Sequence, residues 1–146
     1  MMGIVALVLV LSGPLMCGAG IYFYARFRTD RYDETSKGQK FGKATDQRGC
    51  IEESLRQVKE EKPNTPRERY NKALIHYFTR GCFETCKATY NFCEDAPVTS
   101  DFQTISYWAT AKCRPDGLAG NGFCVRVFED VVEECRGQRK TVYYPN

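Results

Sequence analysis

Residues 65–93 read TPRERYNKALIHYFTRGCFETCKATYNFC, and their periodicity decides the fold class. Thr65 offers a cap and Pro66 suits the first helical position. Glu68 stands three residues after the cap, where its carboxylate reaches back to the cap N–H. Tyr70, Leu74, Tyr77, Phe78, Cys82, Cys86 and Cys93 then recur on nearly one face, the pattern of an amphipathic helix. The spacing predicts one long helix from Thr65 to the region of Cys93, stopped by Glu94-Asp95-Ala96-Pro97. Gly81 inside it costs about 1 kcal/mol relative to alanine. Cys82 and Cys86 stand one turn apart, which separates their Cβ atoms by about 5–6 Å. A disulfide needs about 3.8 Å. Each thiol therefore has to reach a different segment, and the helix reads as a central strut.

A second helix is predicted before it, over 46–62, with Ile51, Leu55 and Val58 as its apolar stripe and Glu52 paired with Arg56 one turn on. Pro63-Asn64 ends it. Downstream, Thr99-Ser100-Asp101 caps a helix through Cys113, with Phe102, Ile105, Ala109 and Cys113 on one face. Pro115-Asp116-Gly117 and Gly120-Asn121-Gly122 mark a tight connection. From Phe123, the set Cys124, Phe128, Val131 and Cys135 has helical spacing again, with Gly137 as its terminator. The fold expected is mainly α: a small disulfide-stapled domain of about four helices over 45–136. The alternative is α+β with a hairpin at 104–128, because 104–111 and 123–128 are rich in aromatic and β-branched residues.

The chain's beginning sets the compartment. Met1 to Ala25 contain no charged side chain. An apolar run from Ile4 to Leu11, a breaker at Ser12-Gly13-Pro14 and the small residues Cys17-Gly18-Ala19 read as a signal peptide over 1–19. A membrane-anchored ectodomain is the rival reading, since so long an uncharged stretch spans a bilayer. Arg26, Arg28 and Arg31 would then draw the rest of the chain to the cytosolic side, where disulfides rarely persist. A cleaved leader avoids that conflict and predicts a secreted, extracellular protein. Residues 20–44 read as a basic, flexible arm or propeptide, with Arg28-Thr29-Asp30-Arg31 as a minimal processing site, and 137–146 as a tail.

Eight cysteines in 146 residues is the informative count. With 1–19 removed, Cys50, Cys82, Cys86, Cys93, Cys113, Cys124 and Cys135 remain as disulfide candidates, an odd number that leaves one thiol free or makes a disulfide-linked homodimer. Zinc is not expected, because Cys82 and Cys86 are the only close pair. A thioredoxin-like role is excluded by the lack of Cys-x-x-Cys. The order Cys50, Cys82, Cys86, Cys113, Cys124, Cys135 resembles that of insect odorant-binding proteins, secreted helical carriers of small hydrophobic ligands; Cys93 has no counterpart there. That resemblance implies a carrier with an apolar cavity.

His76 is the only histidine. It lies opposite Leu74 and Phe78 on the helix, so it reads as a solvent-exposed residue outside any catalytic constellation. Glu129-Asp130 and Glu133-Glu134 read as a solvated acidic face, or else a docking patch for a basic partner. A net charge of +3 gives no concentrated basic stripe for nucleic acid. No cofactor and no metal are expected. The function expected is that of a secreted, non-enzymatic, disulfide-rich protein that binds an extracellular protein target in the manner of a toxin, effector or cytokine.

Overall fold

A computed structural model describes residues 2–60 and 66–143, and the side chains within 20–60 and 70–138. The side chains of the expected signal peptide with Cys17, the Thr65 cap with Glu68, and residues 144–146 lie outside the described residues. The described chain holds five helices: α1 (Met2–Gly42), α2 (Gln47–Glu60), α3 (Pro66–Phe83), α4 (Phe102–Cys113) and α5 (Gly122–Tyr143). It is a mainly helical, disulfide-stapled fold. It divides into two compact units, Met1–Asp33 and Glu34–Asn146, and the three disulfides among the described residues lie in the second.

Where the sequence reads an arm over 20–44, helix continues to Gly42, and its last turns belong to the Glu34–Asn146 unit. The reason is packing without apolar bulk. Gly38 and Gly42 of α1 and Gly81 of α3 are the contact points. A Cβ at Gly38 would fall onto the Phe78 carbonyl oxygen, and one at Gly81 onto that of Thr35. Two helices that touch backbone to backbone leave no hydrophobic period to read. Phe41 and Phe78 meet beside the glycines with ring centroids 5.8 Å apart.

Helix α2 starts at Asp46, whose Oδ1 accepts the Gly49 N–H at 2.9 Å, as an N-cap does. Cys50, Ser54, Leu55 and Val58 are buried along it. Arg56 pairs with Glu53 (Nε to Oε2, 2.7 Å) and with Glu60, in place of the Glu52 expected. Helix α3 ends earlier than its stripe predicts, at Phe83 and not near Cys93. The backbone finds other partners: Lys87 N donates to Thr45 O at 3.0 Å, and Gln47 N donates to Lys87 O at 3.2 Å. That isolated bridge draws the chain away from the α3 axis, and Cys86 and Cys93 therefore leave the helical face.

The helical reading of 104–128 holds over the hairpin. Asp101 caps α4, accepting from Thr104 N at 2.8 Å and from Thr104 Oγ1 at 2.6 Å. These hydrogen bonds favour the ionised carboxyl and lower its pKa. Ile105, Ala109 and Cys113 turn inward. Gly117 and Gly120 have φ of +70° and +76°, the left-handed backbone that glycine adopts without strain. Asn121 Oδ1 then accepts from Phe123 N and Cys124 N, at 3.0 and 3.2 Å, to begin α5.

Three disulfides close the unit: Cys50–Cys82 joins α2 to α3, Cys113–Cys124 joins α4 to α5, and Cys93–Cys135 ties the 84–101 segment to α5. Val58, Ile75, Phe83, Val127, Phe128 and Val131 fill the space between them. Buried Lys72 donates its Nζ to the Val58 carbonyl at 3.0 Å, which satisfies an end carbonyl of α2 with positive charge.

Gly137 does not terminate α5, which runs on to Tyr143. Nothing lies within 4 Å of a Cβ built there. Gly137→Ala is therefore expected to raise stability by up to about 1 kcal/mol, the helix-propensity difference, read as a higher urea midpoint at unchanged slope.

Candidate binding surface

Residues 84–101 form a long irregular segment, and long irregular segments in compact domains are usually functional. This one is fastened at several points along its length. The bridge at Lys87 holds its start, and Gln47 Oε1 accepts the Thr89 N–H at 2.9 Å. Asn91 adopts φ of +56°. Phe92 packs edge-on against Phe83 with centroids 5.9 Å apart, and Cys93 is bonded to Cys135. Asp95 pairs with Lys112, Ala96 is buried, and Arg136 donates to the Thr99 carbonyl.

A segment so fastened nonetheless sends apolar side chains into water. Tyr90 is 87% exposed and Val98 77%; on the neighbouring α4, Phe102 is 70% and Tyr107 75% exposed. A groove of about 420 Å³ opens among α2, this segment, α4 and α5. Ile51, Phe92, Trp108, Phe128 and Val131 supply its apolar lining, and Arg48, Asn91, Glu94, Asp95 and Lys112 its polar one. Trp108 stands edge-on to Phe128 at 5.9 Å, with Lys112 Nζ 5.5 Å above the indole. Rigid aromatics with a polar rim make a surface of the kind that partners bind.

The second cluster corrects two expectations. His76 is not solvent-exposed, and Asp130 is not part of a solvated acidic face. His76 Nδ1 lies 2.8 Å from both oxygens of Asp130, and the two side chains are 15% and 0% exposed. An ionised carboxylate only accepts, so Nδ1 carries the hydrogen. The cause is that α3 packs against both α2 and α5, so the side opposite Leu74 also faces protein. Burial pushes the Asp130 carboxyl above its ordinary 3.8; the His76 hydrogen bond and the charges of His76 and Arg126 pull it back, while Glu133 adds to the rise. Arg80 of α3 pairs with Glu133 of α5 at 3.4 Å.

The sign of the pH effect follows. A carboxyl whose folded-state pKa is raised binds its proton more tightly folded than unfolded, so its contribution to stability falls as pH rises from 3.8 through the raised value. Removing the imidazole takes away the group that favours the ionised form. His76→Ala is expected to cost about 1–3 kcal/mol well above the raised Asp130 pKa and less as pH falls through it, where the carboxyl of the variant takes up a proton. Urea unfolding of both proteins across pH checks this; an equal cost at every pH would show that the pair does not matter electrostatically.

Of the seven cysteine candidates, six are bonded and Cys86 is free. It is half-buried, with Sγ directed at the Phe83 carbonyl at 3.7 Å, and burial and then Glu134 raise its pKa. The six bridging residues are not the six that carry the odorant-binding resemblance: Cys93 is bonded and Cys86 is not. Groups of three or more metal-ligating side chains are absent among the described residues. No helix among them is long and apolar enough to cross a membrane, a statement that does not extend to 1–19. No protein-family model, curated protein or solved structure matches the chain.

Sequence reading missed the exposed quartet Tyr90, Val98, Phe102 and Tyr107. The spacing groups Phe102 with Ile105, Ala109 and Cys113, yet Phe102 turns outward while the other three are buried, and no periodic signal distinguishes an aromatic turned outward from one turned in.

Proposed function

We propose that the chain is a non-enzymatic binding protein that works outside the reducing compartment and engages an extracellular protein through residues 84–101 and α4. The observation that carries this reading is that Tyr90 and Val98 are exposed on a segment that a disulfide and backbone bonds hold in place, with Phe102 and Tyr107 exposed on α4 next to it in sequence. Pre-ordering removes part of the entropy cost of association, and aromatic side chains are what binding hot spots favour. Three disulfides fit an oxidising environment, to which the uncharged N-terminal segment would deliver the domain, as a signal peptide does.

The groove among α2, residues 91–95, α4 and α5 supports a second reading, a carrier of a small hydrophobic ligand, since its size is in the usual range for such sites. One experiment separates the two. A photoreactive phenylalanine is placed at Tyr90, at Tyr107 and, as a control, at Glu60, and the full chain is irradiated on live cells. A discrete adduct at 90 and 107, suppressed by excess unlabelled protein and absent at 60, is the expected result. No adduct at either site, together with a lipid-like molecule retained in native mass spectrometry, would replace the protein target with the carrier reading. Among the described residues Cys86 is the free thiol through which two copies would be joined, and the same spectra with and without reduction show whether they are.

A further inference from the structure

Ile21, Tyr22, Phe23 and Tyr24 follow one another on α1, and all four are 61–70% exposed. Successive helical residues point about 100° apart, so these four form a ring and not a stripe. A ring has no single side to bury against a neighbouring helix. A helix that is apolar all round belongs in a large core or in a membrane, and the Met1–Asp33 unit contains only this helix.

The surrounding sequence has the order of a bilayer's layers. On the N-terminal side no charged side chain occurs from Met1 to Ala25. Ile4 to Tyr24 would extend about 31 Å as helix, close to the hydrocarbon thickness of about 30 Å. The ring comes next, and aromatic side chains concentrate where hydrocarbon meets headgroups. Arg26, Arg28 and Arg31 follow directly. Arg31 sits over the Phe27 ring at 6.0 Å and Arg26 lies 3.9 Å from Asp30. Three guanidinium groups just beyond an aromatic ring complement lipid phosphates in charge and in geometry.

We propose that residues 21–31 are a membrane-interface collar: the aromatic ring lies at headgroup level, the arginines meet lipid phosphates, and α1 keeps the chain on the bilayer. The three disulfides place the Glu34–Asn146 unit on the oxidising side, because bonds of this kind do not persist in a reducing compartment. They outweigh the positive-inside tendency of the arginines, which is a statistical bias of insertion. Cleavage after Ala19 would instead leave four large apolar side chains in water at a new N-terminus, the exposure that soluble chains avoid.

The test uses the full chain with a C-terminal tag, expressed through a secretory pathway. The expected product stays in the membrane pellet after an alkaline carbonate wash, and its intact mass includes residues 1–19. For the collar, Tyr22→Cys and Tyr32→Cys are compared in a Cys17→Ser/Cys86→Ser background, with an unchanged count of bonded cysteines as the check on folding. A membrane-impermeant maleimide should label position 32 from outside and position 22 only after detergent. A soluble chain in the medium starting near Gly20, release by carbonate, or equal labelling at 22 and 32 would each overturn the proposal.

Discussion

Replacing Cys93 and Cys135 together by serine is expected to lower the unfolding free energy by about 4 kcal/mol. The bridge joins residues 42 apart in sequence, and loop closure of that length in the unfolded chain gives about this value. Cys113–Cys124 spans 11, and the same relation gives about 3 kcal/mol for its removal. A domain of this size has about 5–15 kcal/mol in all, so either loss is a large share. The first carries a second effect that the other does not. Cys93 is a main fastening of residues 84–101 to α5, so its loss should free the segment that presents Tyr90 and Val98. Urea unfolding reads the first effect, and amide exchange reads the second as faster exchange over 87–100 with α2 and α3 still protected. Equal exchange in the two serine variants would mean that the backbone bridge at Lys87 and the Thr99 contact hold the segment unaided.

Much of the fold was legible because caps and apolar stripes are local. Helices α2 and α4 begin where Asp46 and Asp101 place them, and Leu55, Val58, Ile105 and Ala109 are inside as their spacing requires. What failed to be legible depended on a partner elsewhere in the chain. The end of α3 is set by Thr45 and Gln47, some forty residues before it, which compete for the Lys87 backbone. A single apolar stripe implies a single buried side, which places His76 in water. Helix α3 has protein on more than one side, and Lys72, Ile75 and Thr79 are buried on it as well. The cysteines named the staples, but spacing could not pair them, and so could not tell that Cys86 is the one left over.

Gly81→Val is the substitution expected to do most harm without touching a disulfide, and its cause is the least visible feature of the sequence. Glycine inside a helix is ordinarily a cost, so alanine should be favoured by about 1 kcal/mol, as expected at Gly137. At Gly81 the space is already occupied by the Thr35 backbone. A side chain can turn to another rotamer, whereas a helix backbone has to move whole, so overpacking here should reach about 3 kcal/mol, the upper end of the usual range. Gly81→Ala should also destabilise, since the clash begins at Cβ, with the valine variant worse. The displaced element is the last part of α1, and the loss should appear as faster amide exchange over 34–42. The hydrogen bond from Thr85 Oγ1 to Gln39 O, 2.8 Å in the native fold, goes with it. An alanine variant as stable at position 81 as at position 137 would mean that α1 and α3 do not meet backbone to backbone.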